Sequence, residues 1–117
     1  LTALTCSSGN WNEVNTLKQN LSAGQTVVGS FVYVPSSKFT EIVGLCGYDF
    51  VVIDMPHGPV DFVVAEEMIR AAEIAGTTPL LRVAHNTPHL LLRALDIGAQ
   101  GLPYTRRETA PTMPAGR

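Results

Sequence analysis

A chain of 117 residues has room for one domain and one core, not two. Hydrophobic residues make up 45% of it and charged residues 15%, with a net charge of −2, so it reads as folded and offers neither nucleic acid nor an anionic membrane a basic surface. No stretch approaches the roughly 20 apolar residues of a membrane span. Residues 1–10 lack the regions of a signal peptide, and Cys6 and Cys46 lie too far apart for a disulfide framework or a zinc motif.

These exclusions leave a cytoplasmic globular protein as the expectation. The chain opens on Leu1 rather than Met and reads as processed or incomplete. Residues 1–10 read as a short tail ahead of the first element.

Trp11, Val14, Leu17 and Leu21 recur at three- and four-residue steps and predict a helix, closed by Gly24 in the left-handed cap position. Residues 26–34 (TVVGSFVYV), rich in β-branched and aromatic side chains, predict a strand. Pro35 and Ser36 or Ser37 open a second helix with Phe39, Ile42, Val43 and Cys46 as its apolar face, Cys46 a small core residue, and Gly47 at its end. Residues 49–54 (DFVVID) form the short apolar run of a strand covered on both faces.

Asp61 caps a third helix, with Ala65, Met68, Ile69 and Ala72 inward, Glu66, Glu67 and Glu73 on a solvated face, and Gly76 at its end. Residues 79–83 predict a third strand. Asn86 or Thr87 caps a fourth helix, Pro88 fits its first position, and Gly98 ends it. Residues 99–102 start a fourth strand. Residues 104–117, with two prolines, three arginines and no apolar period, read as a loose tail.

Serial strand–helix units predict an α/β fold with a parallel sheet and helices packed outside it. Two architectures remain open. A flavodoxin-like sheet usually carries about five strands, more than the four counted here. A (β/α)₈ barrel takes about 250 residues, so four βα units over residues 11–103 make its N-terminal half. An open half-barrel leaves two unpaired sheet edges, a route to self-association.

In both architectures the chemistry sits at the carboxyl ends of the strands. His57 follows the second strand and precedes a Gly-Pro turn, where it can project into a cleft and exchange protons near neutral pH. Asp54 and Asp96 are the candidates to orient its ring. Arg82 is a strand residue among apolar neighbours, a placement that is costly unless the charge is paired, and its fork of donors suits a carboxylate or an enolate oxygen.

Each has a plainer reading: His57 as a turn residue, Arg82 in a structural ion pair, Asp96 solvated at a helix end. Their recurrence at successive unit ends is what raises the functional one. His85 and His89 are four apart, but Asn86, Thr87 and Pro88 place His85 ahead of the helix, which argues against a metal pair.

The chain resembles the HpcH/HpaI aldolases, the class II pyruvate aldolases. The resemblance rests on Asn15-Thr16-Leu17-Lys18, Gly24, Val27-Val28-Gly29, Glu41-Ile42-Val43-Gly44 and Gly47 through Asp54. It continues through His57-Gly58-Pro59, Pro79-Leu80-Leu81-Arg82-Val83 and Leu95-Asp96-Ile97-Gly98-Ala99-Gln100-Gly101.

It implies a (β/α)₈ barrel, assembled into homo-oligomers when complete, that cleaves a hydroxy-2-oxo acid to pyruvate and an aldehyde. A divalent cation (magnesium, manganese or cobalt) would act as Lewis acid. By the same resemblance His57 is the proton acceptor, Arg82 stabilises the transition state, and Asp96 makes the histidine a stronger base. The family's metal ligands, a Glu and an Asp on later strands, have no counterparts in this chain. Pro56 stands where the family carries Glu, fixing φ and removing a donor just before His57.

Two functional expectations follow. One is a metal-dependent aldolase of which this chain is an inactive N-terminal piece. The other is a non-catalytic half-barrel with a self-association or scaffold role.

Overall fold

The computed structural model describes residues 16–103, which form three parallel strands alternating with helices. In chain order the elements are α1 (Thr16–Ser22), β1 (Gly29–Val32), α2 (Ser37–Leu45), β2 (Phe50–Asp54), α3 (Phe62–Ala75), β3 (Thr78–Arg82) and α4 (Pro88–Asp96). Trp11 and Val14 of the first predicted helix, both tails, and Cys6 lie outside the described residues.

Strand order decides between the two architectures. The sheet runs β1-β2-β3 in parallel register, Gly29 opposite Phe50 and Asp54 opposite Arg82. A flavodoxin-like sheet would place its first strand between the second and third; a barrel winds its strands in sequence. The sequential order is that of a (β/α)₈ barrel, of which these units are a part. The edge beyond β3 continues as a single parallel bridge, Leu80 with Gly101, rather than the fourth strand expected over 99–102. Leu81 donates its N–H to the Gly101 carbonyl and Gln100 donates to that of Pro79, so the chain lies in the fourth-strand position.

The two faces of the sheet have different work. Val32, Val51, Ile53 and Leu81 alternate onto one face and pack with Ala65, Met68, Ile69 and Ala72 of α3 and Ala94 of α4. Burial of each large side chain contributes about 1.5–3 kcal/mol, and this layer is the core. Phe31, Val52, Asp54, Leu80 and Arg82 alternate onto the other face, which in a barrel looks inward.

α3 follows its sequence pattern closely. The Asp61 carboxylate accepts from the Val64 N–H at 2.9 Å, and Gly76 closes the helix at φ 84°, a left-handed conformation that costs glycine nothing. Gly24, Gly47 and Gly98 also have positive φ, as expected of glycines closing each helix. Thr87, not Asn86, caps α4, its hydroxyl accepting from the Leu90 N–H, with Pro88 in the first turn.

α2 departs from its expected face. Thr40 and Gly44 are its buried residues and Val43 is half-buried, whereas Phe39, Ile42 and Cys46 are exposed. The cause is a close crossing with α3: a Cβ on Gly44 would stand 2.6 Å from that of Ala75 and 2.9 Å from Thr77 Cγ2. The helix turns its smallest residue to that contact, so its bulky apolar side chains face outward.

β1 is also shorter than predicted, four residues in place of nine. Ahead of it the backbone bond from Asp49 N–H to the Val28 carbonyl remains, but the Val28 N–H goes to the Asp49 carboxylate at 2.9 Å. No helix among the described residues is long and apolar enough to cross a membrane.

Candidate active site

β2 and β3 end level with each other, which sets Asp54 beside Arg82 at the carboxyl edge of the sheet. The Asp54 side chain is 1% exposed. Its Oδ2 accepts from Arg82 Nη1 at 3.2 Å and lies 2.9 Å from His57 Nδ1, while its Oδ1 faces the His57 backbone N–H at 3.4 Å. One buried carboxylate therefore holds the guanidinium and the imidazole together. A buried charge is stable only with such partners, and both bonds are of the charge-assisted kind when His57 is protonated.

The turn that carries His57 is tightly placed. Val60 N–H donates to the Gly58 carbonyl at 2.8 Å, and a Cβ on Gly58 would run into the backbone carbonyl of Tyr33 at the exit of β1. Glycine at this position lets the turn sit directly on β1. With Pro56 before it, His57 still points its Nδ1 at Asp54, which leaves Nε2 as the ring atom turned away from the carboxylate. The imidazole is 60% exposed and Arg82 is 21% exposed, so both reach the open side of the site.

Phe31, Tyr33, Asp54, His57 and Arg82 line a cleft of about 370 Å³. The Phe31 and Tyr33 rings stack at 6.2 Å with planes 15° apart, and Tyr33 meets the His57 ring edge-on at 6.5 Å. Among the described residues Arg82 Nε is a buried donor with no hydrogen-bond partner. Such a group costs about 1–3 kcal/mol, a sign that this arginine is not optimised for stability alone.

Of the three residues singled out from sequence, His57 and Arg82 meet in this cleft. Asp96 does not join them. It is the last residue of α4, which runs back along the sheet, so it sits exposed towards the amino ends of the strands. Asp54, named from sequence as one of two possible partners for His57, occupies the position next to the ring. Phe31 and Tyr33 were not singled out; their i, i+2 spacing into the strand end was the available signal.

His85 and His89 are exposed, and no group of three His, Cys, Asp or Glu among the described residues could hold a metal ion. Among the described residues Asp54 is the one carboxylate lining the cleft, and its Oδ2 already serves two partners. The described residues therefore do not fit a divalent cation.

Comparison with known proteins agrees with the fold. Residues 28–111 match the model of the HpcH/HpaI aldolase/citrate lyase family. A pyruvate aldolase of Rhizobium etli is 37% identical over 97 residues, 81% of this chain and 38% of its own length. A solved HpcH/HpaI aldolase/citrate lyase family protein from Burkholderia cenocepacia superposes with a TM-score of 0.69 at 35% identity, over 76% of this chain and 36% of that one. The citrate synthase SbnG superposes at 0.71 with 36% identity, over 75% and 36%. The chain thus spans a little over a third of the length of the relatives it matches. The matched segment contains all three strands and the Asp54–His57–Arg82 cluster, and the chain belongs to the HpcH/HpaI aldolase/citrate lyase family.

Proposed function

We propose that this chain supplies the proton-handling part of an aldolase site that cleaves a 4-hydroxy-2-oxo acid to pyruvate and an aldehyde. The observation that carries the reading is the single buried carboxylate of Asp54 gripping both His57 and Arg82 at adjacent strand ends.

In the cleavage direction His57 Nε2 takes the proton of the C4 hydroxyl. The C3–C4 bond breaks, the C4 carbonyl forms, and the electron pair passes to the C2 oxygen as an enolate. Arg82 faces that developing charge with the donors not spent on Asp54, and the enolate is protonated at C3 to give pyruvate. Asp54 orients the imidazole so that its free nitrogen is the one presented. The role of Asp96 as a further partner of His57 comes from the family resemblance; Asp96 in this chain faces the other end of the sheet, so the role would need Asp96 of a second copy.

The remaining barrel strands, the divalent cation and the homo-oligomer belong to the same proposal. The test is exchange of the pyruvate methyl hydrogens with solvent deuterium, read by NMR for a barrel completed with the remaining strands of a relative. Exchange that disappears in His57→Ala supports the reading. Exchange that persists in that variant contradicts it.

The second reading, a non-catalytic half-barrel that self-associates, has its own observation. The outer flank of α2 exposes Phe39, Ile42 and Leu45, and α4 exposes Leu92 and Leu95, at the two helices bordering the open sheet. A monomer by size-exclusion mass would rule it out.

A further inference from the structure

The aromatic pair beside the catalytic cluster has no part in the chemistry above. Phe31 and Tyr33 project from one face of β1 and its exit, stack on each other, and are 49% and 47% exposed. Phe31 lies on the face that looks inward in a barrel, and the two rings form a continuous wall from the strand to the edge of His57. The opposite side of the cleft is Asp54 and Arg82.

Its charges limit what it accepts. Among the described residues Arg82 is the one permanently cationic residue lining the cleft, with Nη1 committed to Asp54. The buried Asp54 carboxylate adds a negative charge beside it. Among the described residues there is cationic capacity for one ligand carboxylate, and a second would meet Asp54 and two aromatic rings.

We infer that the Phe31–Tyr33 wall is a specificity element, selecting a 2-oxo acid with one carboxylate and a planar apolar substituent over a dicarboxylic or polyhydroxylated one. The inference rests on the proposed site: the 2-oxo oxygen and the carboxylate beside it face Arg82, and the substituent lies against the rings on the His57 side.

The experiment titrates the 117-residue chain with pyruvate, phenylpyruvate and 2-oxoglutarate, following the His57 ring resonances and Kd by NMR. The expected result is phenylpyruvate about 3- to 10-fold tighter than pyruvate, the range of an added aromatic contact, and 2-oxoglutarate no tighter than pyruvate. Tyr33→Leu and Phe31→Leu keep apolar bulk while removing a ring, and each should bring the phenylpyruvate-to-pyruvate ratio close to one.

Equal affinity for the two monocarboxylates in the unsubstituted chain overturns the inference while leaving the site reading standing, as does tightest binding of 2-oxoglutarate. A ratio that survives both substitutions overturns it too. If none of the three acids perturbs His57, the site reading itself fails and the inference with it. The ratio in the unsubstituted chain decides even if a variant does not fold.

Discussion

His57 Nδ1 stands 2.9 Å from Asp54 Oδ2, and that one contact fixes which imidazole nitrogen is presented to the cleft. With its proton on Nδ1 facing the carboxylate, the neutral ring carries its lone pair on Nε2. Nitrogen-15 NMR of the neutral ring should therefore show the Nδ1–H tautomer. Asp54→Ala should shift the population to the Nε2–H form that an unconstrained histidine side chain prefers. An unchanged tautomer pattern would show that Asp54 does not orient the ring.

Asp54 and Arg82 are coupled as a pair rather than as two independent contributors. Asp54→Asn removes a charge-assisted bond and leaves the guanidinium without its counter-ion, an expected loss of about 1.5–3 kcal/mol by urea unfolding. Arg82→Met alone strands the Asp54 carboxylate. The double substitution should cost clearly less than the sum of the singles; simple additivity would mean that the pair is not formed in solution.

Gly58 holds the His57 turn against β1. In Gly58→Ala the new methyl group meets the Tyr33 carbonyl, and the turn has to lift. A stability loss of about 1–3 kcal/mol is expected from this overpacking, together with a shift of the His57 tautomer pattern towards that of Asp54→Ala. Loss of stability with the His57 signals unmoved would assign Gly58 a role in packing only.

Gly44→Ala is the matching control, remote from the cleft. The α2–α3 contact against Ala75 and Thr77 has no space for the methyl, costing about 1–3 kcal/mol, offset by about 1 kcal/mol of improved helix propensity. A net loss of up to about 2 kcal/mol by chemical denaturation, with His57 resonances in place, is the expected outcome. A stabilised variant would contradict the close helix crossing.

Much of this fold was legible in the sequence because its signals are local. The 3.6-residue apolar stripe of α3, its Asp61 cap and the helix-closing glycines need no partner to be read. The face of α2 was misread because Gly44 and Thr40 carry no hydrophobic signal; the close crossing that buries them is a tertiary fact. At the start of β1 the Val28 N–H is taken by the carboxylate of Asp49, 21 positions away, a long-range contact that sequence does not show.

The site divides the same way. His57 and Arg82 stood out as polar residues at strand ends. That Asp54 lies against both depends on the β2–β3 register, which sequence does not contain. The family pattern pointed to Asp96, and the topology of one chain carries that residue to the far end of the sheet.

The central claim is that residues 28–103 carry the base and the charge-stabilising arginine of an aldolase, and a chimera tests it most directly. This segment would replace its counterpart in the Rhizobium etli pyruvate aldolase, a relative 37% identical to the chain over 97 residues, and pyruvate release from a 4-hydroxy-2-oxo acid would be measured. Release by the chimera is expected, with a fall of about 100-fold or more in His57→Ala, the contribution of a positioned base. A folded chimera that releases no pyruvate, or one that turns over equally well without His57, would contradict it.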